Sequence, residues 1–550
     1  MIGRRDVLRG LILGWLGVAL PRLAANSGRV DAFLNQMTLR QKIGQLFLFS
    51  VPGTSLTADM RGLITEASAG GLALFRYNIG SPETLTTLTN DLQRAALANG
   101  IPAPLFLAVD QEGGRVARLQ SAPFGEFPNP MALGAANNPE LTAQIGAALA
   151  VEMRACGLNM NLAPVLDVNS QPLNPVINVR AFGDDPARVA EHGAAFVRGS
   201  QAAGVIATGK HFPGHGATLE DSHFTLPVVS HSAADLRANM APFEAGIRDE
   251  MGAMMTAHVL YEALDSTPAT FSAPIMTDLL RGEFGFEGVL LSDALTMGAV
   301  AEARDNPVYV LRDALLAGVD MLAYGALPDG RAPSVATQWE QYELVVRLVE
   351  SGLLPESRID EAARRVLAIK ERFGLLDWSP LDAANTLQRL PTADHRALIA
   401  QVARESVTLL RDDAGLLPLA DLAAPPTLIF PAEVPAAARV LAAGWPGMRA
   451  LAYHRDNANM GAIMAEVGDG VIICCSLDVT SSPATVALLN ALPLDRSILV
   501  ALRSPYDILA APSAQTYLMT YGTSEPALLA LRAVLRGEIP ARGQSPVALM

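Results

Sequence analysis

The stretch VIATGKH, residues 205–211, is a short apolar run that ends in a lysine and a histidine. Seven more runs of this kind lie between residues 45 and 325. They occupy positions 45–51, 71–77, 105–110, 159–168, 253–258, 289–294 and 320–325. Each is bounded by glycine, proline or polar residues and is apolar without strict alternation, which is typical of a strand buried on both faces of a parallel sheet.

The segments between these runs have helical character. Ser81 followed by Pro82 offers an N-cap and a first-turn proline, and Ser272 with Pro274 repeats the pattern. Residues 232–248 carry apolar side chains at intervals of three and four. Eight strand–helix units predict an α/β fold with an N-terminal (β/α)8 (TIM) barrel, in a catalytic domain over residues 26–377. An open doubly wound sheet shows the same alternation, and the count of eight favours the barrel.

The last third of the chain has a different organisation. Residues 378–400 contain Pro380, Pro391 and many polar residues, which predict a linker. A helix is expected at 394–410, followed by apolar runs at 427–430, 471–477, 497–502 and 517–521. Residues 401–550 are therefore predicted to form a smaller layered α/β domain, an αβα sandwich. It contains no glycine-rich phosphate loop or acid–base cluster, so we expect support or oligomer contact from it.

The N-terminus has the pattern of an export signal. Arg4 and Arg5 precede the apolar run 11–20, which is followed by Pro21 and by the small residues Ala24 and Ala25. A charged start, a short apolar segment and a small-residue cleavage site indicate a signal peptide over residues 1–25. The paired arginines resemble a twin-arginine signal. We expect an exported protein with no stable membrane insertion after removal of this segment, because the run is short for a bilayer.

Charge and cysteine content exclude several classes of protein. The net charge is −14, which disfavours nucleic acid and anionic membranes as partners, since both attract basic surfaces. The three cysteines, Cys156, Cys474 and Cys475, are expected to be buried thiols outside any disulfide or metal cluster. No cofactor is expected.

Polar residues concentrate where the predicted strands end, which is the end of a TIM barrel that carries active sites. Five of the eight histidines lie between His211 and His258. The polar residues at the predicted strand ends are Asp110, Asp167, Lys210, His211, His258 and Asp293. Such residues can bind a divalent ion or form a sugar site, and the absence of closely spaced histidines on one strand disfavours the metal.

Asp293 and His223 are the candidates for glycoside chemistry, which needs a group that attacks the anomeric carbon and one that protonates the leaving oxygen. Asp293 follows a buried run and projects from a strand end. An imidazole, with a usual pKa of about 6.5, donates and accepts protons near neutral pH. Asp221, two residues before His223, is placed to orient the ring.

Longer strings resemble glycoside hydrolase family 3, in its β-N-acetylglucosaminidase group. KHFPGHGATLEDSH at 210–223 matches the fixed positions of that group's signature. Four other segments resemble family motifs in the right order, namely VDQEGGRVARL at 109–119, INVRAFGDDP at 177–186, LSDALTMGAV at 291–300 and RESVTLLRDDAGLLPL at 404–419. The resemblance covers almost all of the chain after the signal.

The resemblance implies a retaining hydrolase that releases terminal β-linked N-acetylglucosamine. Asp293 is then the nucleophile, and His223 with Asp221 is the acid/base pair. The positions that correspond to sugar-binding residues of the family are Asp110, Arg118, Arg180, Lys210 and His211. Asp167, Glu112 and His258 are expected to support these side chains. Ala294 departs from the family, in which a second acidic residue is common at that position.

Three alternatives stay open at this point. One is a phosphorylase, because an imidazole acid does not repel phosphate as a carboxylate does. A second is a β-glucosidase or β-xylosidase of the same family. A third is an exported sugar-binding protein without activity, which the intact pair of Asp293 and His223 disfavours.

Overall fold

The computed structural model describes residues 27–98, 100, 103–120, 122–327, 329–390, 393–420 and 422–549. The predicted export signal at 1–25 lies outside these residues. Within them the chain forms a parallel barrel followed by a second, sheet-centred α/β domain. The predicted fold class is therefore confirmed. The boundaries at 26–377, 378–400 and 401–550 stay predictions.

The barrel sheet has eight strands, one in each of the eight predicted runs. They are β1 Phe47–Ser50, β2 Gly71–Leu74, β3 Phe106–Val109, β4 Met160–Asn161, β5 Ile206–Phe212, β6 Ala253–Thr256, β7 Val289–Leu291 and β8 Leu322–Ala323. Consecutive strands pair in parallel, and β8 pairs with β1. A parallel bridge between Leu291 and Met321 joins the remaining edges. The open-sheet alternative is thereby excluded.

Helices surround the barrel because each segment between two strands buries one apolar face against the sheet. Ser81 caps the helix after β2, accepting a hydrogen bond from the amide of Thr84 at 3.2 Å, as the serine–proline pattern predicts. The region 232–248 forms two helices rather than one, separated at Met240, since Pro242 starts a new first turn. The longer helical segments of this domain are Ser27–Gln36, Leu39–Gln45, Ala58–Ala67, Pro82–Leu97, Pro130–Ala136, Pro139–Ala155, Pro186–Ala202, Ala233–Asn239, Ala241–Arg248, Pro274–Glu283, Gly298–Ala303, Pro307–Ala317, Val335–Glu350 and Glu356–Arg372.

The second domain has a six-stranded sheet with the order β9-β14-β13-β12-β10-β11. Its strands are β9 Thr408–Asp412, β10 Thr427–Pro431, β11 Arg449–Tyr453, β12 Ile472–Ser476, β13 Ser497–Ala501 and β14 Thr516–Met519. All pairs are parallel except β9 with β14. Helices cover the sheet at Ala393–Ser406, Pro435–Ala442, Met460–Glu466, Pro483–Ala491 and Glu525–Leu535.

Two strands of this sheet differ from the sequence prediction. The helix expected at 394–410 ends at Ser406, and Thr408–Asp412 is an edge strand. The opposite edge, Arg449–Tyr453, was not predicted at all. Both edge strands are partly exposed and carry polar residues, so they lack the continuous apolar run by which buried strands are recognised.

The segment predicted as a linker is largely helical, with short turns at Ala383–Asn385 and Thr386–Arg389 before the helix Ala393–Ser406.

The second domain contacts the barrel loops directly. The side-chain amide of Asn129 donates to the carbonyl of Tyr521 at 2.7 Å, and the amide of Ala548 donates to the carboxylate of Asp184 at 2.6 Å. Among the described residues, no helix combines the length and apolar character needed to cross a membrane. Cys156, Cys474 and Cys475 are buried free thiols.

Candidate active site

A cavity of about 410 Å³ opens at the carboxyl ends of the barrel strands. All of the site residues predicted from the sequence line it, namely Asp110, Arg118, Arg180, Lys210, His211, Asp221, His223 and Asp293. The structure therefore brings together segments that are up to 183 residues apart in sequence, from Asp110 to Asp293. The roles assigned to these residues stay predictions.

Asp293 stands just beyond β7, where the backbone is held on both sides. The amide of Ser292 donates to the carbonyl of Met321 at 2.9 Å, and the amide of Asp293 lies 3.3 Å from the hydroxyl of Thr256. The Asp293 carboxylate accepts a hydrogen bond from the amide of Ala294 at 2.7 Å. Burial alone would raise the pKa of Asp293, but the His211 and His258 imidazoles, with the Ala294 amide and His223, together lower this pKa below its usual value. The carboxylate is therefore ionised, as a nucleophile must be.

His223 and Asp221 form a hydrogen-bonded pair in the loop after β5. The Asp221 carboxylate lies 2.7 Å from Nδ1 of His223 and also accepts the His223 amide at 2.9 Å. The hydrogen bond from Asp221 is the largest cause that raises the pKa of His223, since it stabilises the imidazolium. Because Nδ1 is occupied, Nε2 is the nitrogen left to exchange a proton with a substrate.

Buried His215 fixes the residue between the two members of this pair. Its Nε2 lies 2.8 Å from the Ser222 hydroxyl, and its Nδ1 lies 2.9 Å from the Thr218 hydroxyl. Burial lowers the pKa of His215 to about 4, so the ring is neutral near pH 7. The sequence placed His215 in the signature but gave no partner for it, because the hydrogen bond depends on how the loop folds back.

The loop that carries His223 also rests on the segment that follows Asp293. The amide of Gly298 donates to the His223 carbonyl at 2.9 Å, and the amide of Ala299 donates to the Ser222 carbonyl at 3.2 Å. A Cβ at Gly298 would lie 2.4 Å from the Phe224 carbonyl oxygen, so a larger residue there would displace the loop. The candidate nucleophile and candidate acid are thus connected through backbone contacts.

A buried network of charged groups forms one wall of the cavity. Lys210 contacts the carboxylates of Asp110 at 2.8 Å and Glu112 at 2.7 Å. Arg180 binds Glu112 through two hydrogen bonds, at 2.9 and 2.8 Å, and Arg118 binds Asp110 at 2.9 Å. Burial opposes ionisation of Glu112, yet Arg180 and Lys210 lower the pKa of this carboxyl below its usual value. The network holds donors and acceptors in fixed positions, which suits recognition of sugar hydroxyls.

His211 and His258 are held by partners below the cavity. Asp167 is fully buried and accepts hydrogen bonds from the His211 amide at 3.1 Å and the His215 amide at 2.7 Å, while its other oxygen lies 2.7 Å from Nδ1 of His211. Nδ1 of His258 lies 2.8 Å from the Thr270 hydroxyl, and its Nε2 lies 3.2 Å from the Ala294 carbonyl. Glu112, Asp167 and His258 thus contact predicted site residues or their neighbours.

The sequence analysis missed several residues of the cavity wall. Phe224, Met297 and Leu327 line it, but none carries a group whose chemistry draws attention in a sequence.

A second cavity of about 450 Å³ lies between the two domains and is lined by residues such as Arg115 and Arg503, but not by Asp293 or His223. Among the described residues, no group of His, Cys, Asp or Glu side chains is arranged to hold a metal ion.

Comparison with known proteins gives consistent matches. Residues 38–369 match the family model of the glycosyl hydrolase family 3 N terminal domain. A β-hexosaminidase A from Pseudoalteromonas piscicida is 36% identical over 396 residues, which are 69% of this chain and 65% of that relative, slightly less than two thirds of its length. A β-hexosaminidase from Alkalilimnicola ehrlichii is 40% identical over 282 residues, 50% of this chain and 79% of the relative.

A solved structure is similar over nearly the whole chain. It is a glycoside hydrolase family 3 β-N-acetylglucosaminidase from Paenibacillus sp. str. FPU-7, with 34% sequence identity and a TM-score of 0.85. The match covers 94% of this chain and 99% of that one, so it includes both the barrel and the second domain.

Proposed function

This chain belongs to glycosyl hydrolase family 3, and from that premise we propose that it hydrolyses terminal β-linked N-acetylglucosamine from cell-wall or chitin-type saccharides with retention of anomeric configuration. The match over residues 38–369 and the β-hexosaminidase relatives support membership of this family and a glycoside hydrolase activity. The observation that carries the mechanism is the shared cavity in which Asp293 and the Asp221–His223 pair are combined.

In the first step, the Asp293 carboxylate attacks the anomeric carbon and the bond to the leaving oxygen breaks. His223 gives its Nε2 proton to that oxygen, so the leaving group departs as a neutral alcohol. Asp221 supports this step because its carboxylate, bound to Nδ1, stabilises the protonated ring before transfer. The product is a glycosyl ester on Asp293.

In the second step, the neutral His223 ring takes a proton from water as the oxygen of that water attacks the anomeric carbon. The ester bond to Asp293 breaks, and the carboxylate and the protonated imidazole are restored. Two inversions at one carbon leave the configuration unchanged. The ionised state of Asp293, maintained by His211, His258 and the Ala294 amide, favours its role as both nucleophile and leaving group.

Substrate binding is assigned to the charged wall of the cavity. Asp110, held by Lys210 and Arg118, offers an oriented acceptor for sugar hydroxyls, and the cations offer donors. Arg180 and His211 complete the set of residues proposed to hold the ring. We infer a preference for an N-acetylated sugar because the similar proteins are a β-hexosaminidase and a β-N-acetylglucosaminidase, and because of the signature at 210–223.

A panel of aryl glycosides tests this proposal. Hydrolysis of aryl N-acetyl-β-glucosaminide is expected to exceed that of aryl β-glucoside and β-xyloside by on the order of 100-fold in kcat/KM, a specificity of about 3 kcal/mol. The sugar should be released without phosphate and at an unchanged rate with it. Equal rates on all three sugars, or no turnover with tight binding of the sugar, would contradict the proposal.

Phosphorolysis is not favoured by the cavity. The cations of the cavity wall, Arg118, Arg180 and Lys210, are each paired with a carboxylate, and the negative charge of Asp110 and Glu112 opposes the binding of a phosphate there. We accordingly propose water as the acceptor. Formation of sugar-1-phosphate in the same assay would identify phosphate as the acceptor instead.

The raised pKa of His223 predicts the alkaline limit of activity. The first step needs protonated His223, so kcat/KM on a substrate with a poor leaving group falls as pH rises through that pKa, above its usual value of about 6.5. Asp221→Asn removes the largest cause of the raised pKa, so the alkaline fall in kcat/KM should occur at lower pH in this variant. Measuring kcat/KM against pH for both proteins checks this. An alkaline fall at the same pH in both proteins would exclude Asp221 as the partner that raises the pKa of His223.

A further inference from the structure

Phe224 directly follows the candidate acid and is left unusually exposed. Its side chain is 70% exposed, the highest value among the large apolar residues that the described part of the chain leaves open to solvent. It nevertheless lines the cavity that holds Asp293. We infer that Phe224, with Leu327, forms the subsite for the leaving group, and that this subsite takes a ring with an apolar face, such as a pyranose or an aryl group. This inference rests on the proposed function.

The position of the leaving group follows from His223. Its oxygen must come within about 3 Å of Nε2, because Nδ1 is occupied by Asp221. The ring centroids of His223 and Phe224 are 6.5 Å apart. A ring bonded to the leaving oxygen therefore starts within reach of the Phe224 ring.

Phe224 has a fixed backbone and a free side chain. Its amide donates to the Asp221 carbonyl at 3.0 Å, and its carbonyl packs against Gly298, where no Cβ would fit. The ring is therefore held at a defined place without being buried by the protein. Burial of an aromatic ring normally contributes substantially to stability, so a ring left open beside a proton donor suits contact with a ligand.

The other aromatic side chains of the cavity offer less accessible surface than Phe224. Among the residues that line it, Tyr324 is only 6% exposed, and Phe75 stacks on Tyr77 at 5.6 Å between ring centroids. The residue after the nucleophile is Ala294, which offers only a methyl group. The apolar surface for the leaving group is thus supplied by the loop that carries the acid.

The same subsite must admit the acceptor in the second step. A sugar hydroxyl that replaces water gives its proton to His223 and bonds to the anomeric carbon, while the ester to Asp293 breaks. Contact with Phe224 should therefore favour transfer to cyclic acceptors over transfer to small alcohols, at a stage after the first leaving group has gone.

The test uses the β-fluoride of N-acetylglucosamine, whose leaving group has no ring. The glycosyl-enzyme formed from it is partitioned between water, methanol and methyl N-acetyl-β-glucosaminide. In Phe224→Ala, transfer to the cyclic acceptor is expected to fall about 10-fold relative to hydrolysis, within the range of aromatic contacts. Transfer to methanol should change by less than about 2-fold. Equal partition in both proteins would overturn the inference.

Controls separate the subsite from folding and from the proposed function. Leu219→Ala removes another exposed side chain, 57% exposed and outside the cavity, and should leave all ratios unchanged. Phe224→Tyr keeps the ring and should keep the transfer, and its loss would count against stacking. Release of sugar by the wild type, with unaltered partition in Phe224→Ala, would reject the subsite alone. No release of sugar by the wild type would reject the function itself.

Discussion

Asp293→Ala is expected to lower kcat/KM for an aryl N-acetyl-β-glucosaminide by on the order of 10⁴-fold or more, with little change in folding. The carboxylate is ionised, accepts a hydrogen bond from the Ala294 amide, and follows a strand end that is fixed by the hydrogen bond from the Ser292 amide to the Met321 carbonyl. Without it, no ester forms and the double displacement stops at its first step. Initial rates over a range of substrate concentrations measure the loss.

Two comparisons make this result specific. Asp278→Ala removes an exposed aspartate outside the cavity and should retain full activity. Azide fits the space left by Asp293→Ala and should restore part of the rate on an activated substrate, with an α-glycosyl azide as product. Retention of more than about 1% of activity by Asp293→Ala without azide would assign the nucleophile elsewhere.

His223→Ala is expected to lower kcat/KM about 10²- to 10⁴-fold on substrates with poor leaving groups, which is the usual range for a lost general acid. On a dinitrophenyl glycoside, whose leaving group needs no proton, the loss should be within about 10-fold. The reason is that Nε2 supplies a proton only to the leaving oxygen, while Asp293 attacks in either case. A plot of log kcat/KM against leaving-group pKa measures the difference as a steeper slope.

The matched control is His231→Ala, which removes an exposed histidine that does not line the cavity. It should follow the wild-type slope. Asp221→Asn should fall between the wild type and His223→Ala, because the ring remains but its protonated form loses support. Equal loss on good and poor leaving groups in His223→Ala would rule out His223 as the acid.

The barrel could be predicted because its strands are buried on both faces. Runs such as 205–211 and 289–294 coincide closely with strands that are entirely buried, and such strands are mainly apolar. The edge strands of the second domain, Thr408–Asp412 and Arg449–Tyr453, escape this criterion because four of the five residues in each are partly or fully exposed. Their place in the sheet is set by pairing with β14 and β10, which a local pattern does not contain.

The candidate site was predictable where residues act at short range or belong to a recognised motif. Asp221 and His223 are two residues apart, and the structure shows them hydrogen-bonded. The contact of Gly298 with His223 and the hydrogen bond of His215 to Ser222 depend on loops that meet only in the folded barrel. Phe224 was missed because exposure, which makes it informative, is not visible in a sequence. The export signal at 1–25 stays a prediction.

The account depends most on a covalent intermediate on Asp293. A fluorinated N-acetylglucosaminyl fluoride that slows the second step should trap this intermediate, and peptide mass spectrometry locates the bound sugar. We predict one adduct per chain on the peptide that contains Asp293, and none in Asp293→Ala. Adduct formation at another residue, or turnover that releases the α-anomer first from a β-glycoside, would contradict the account.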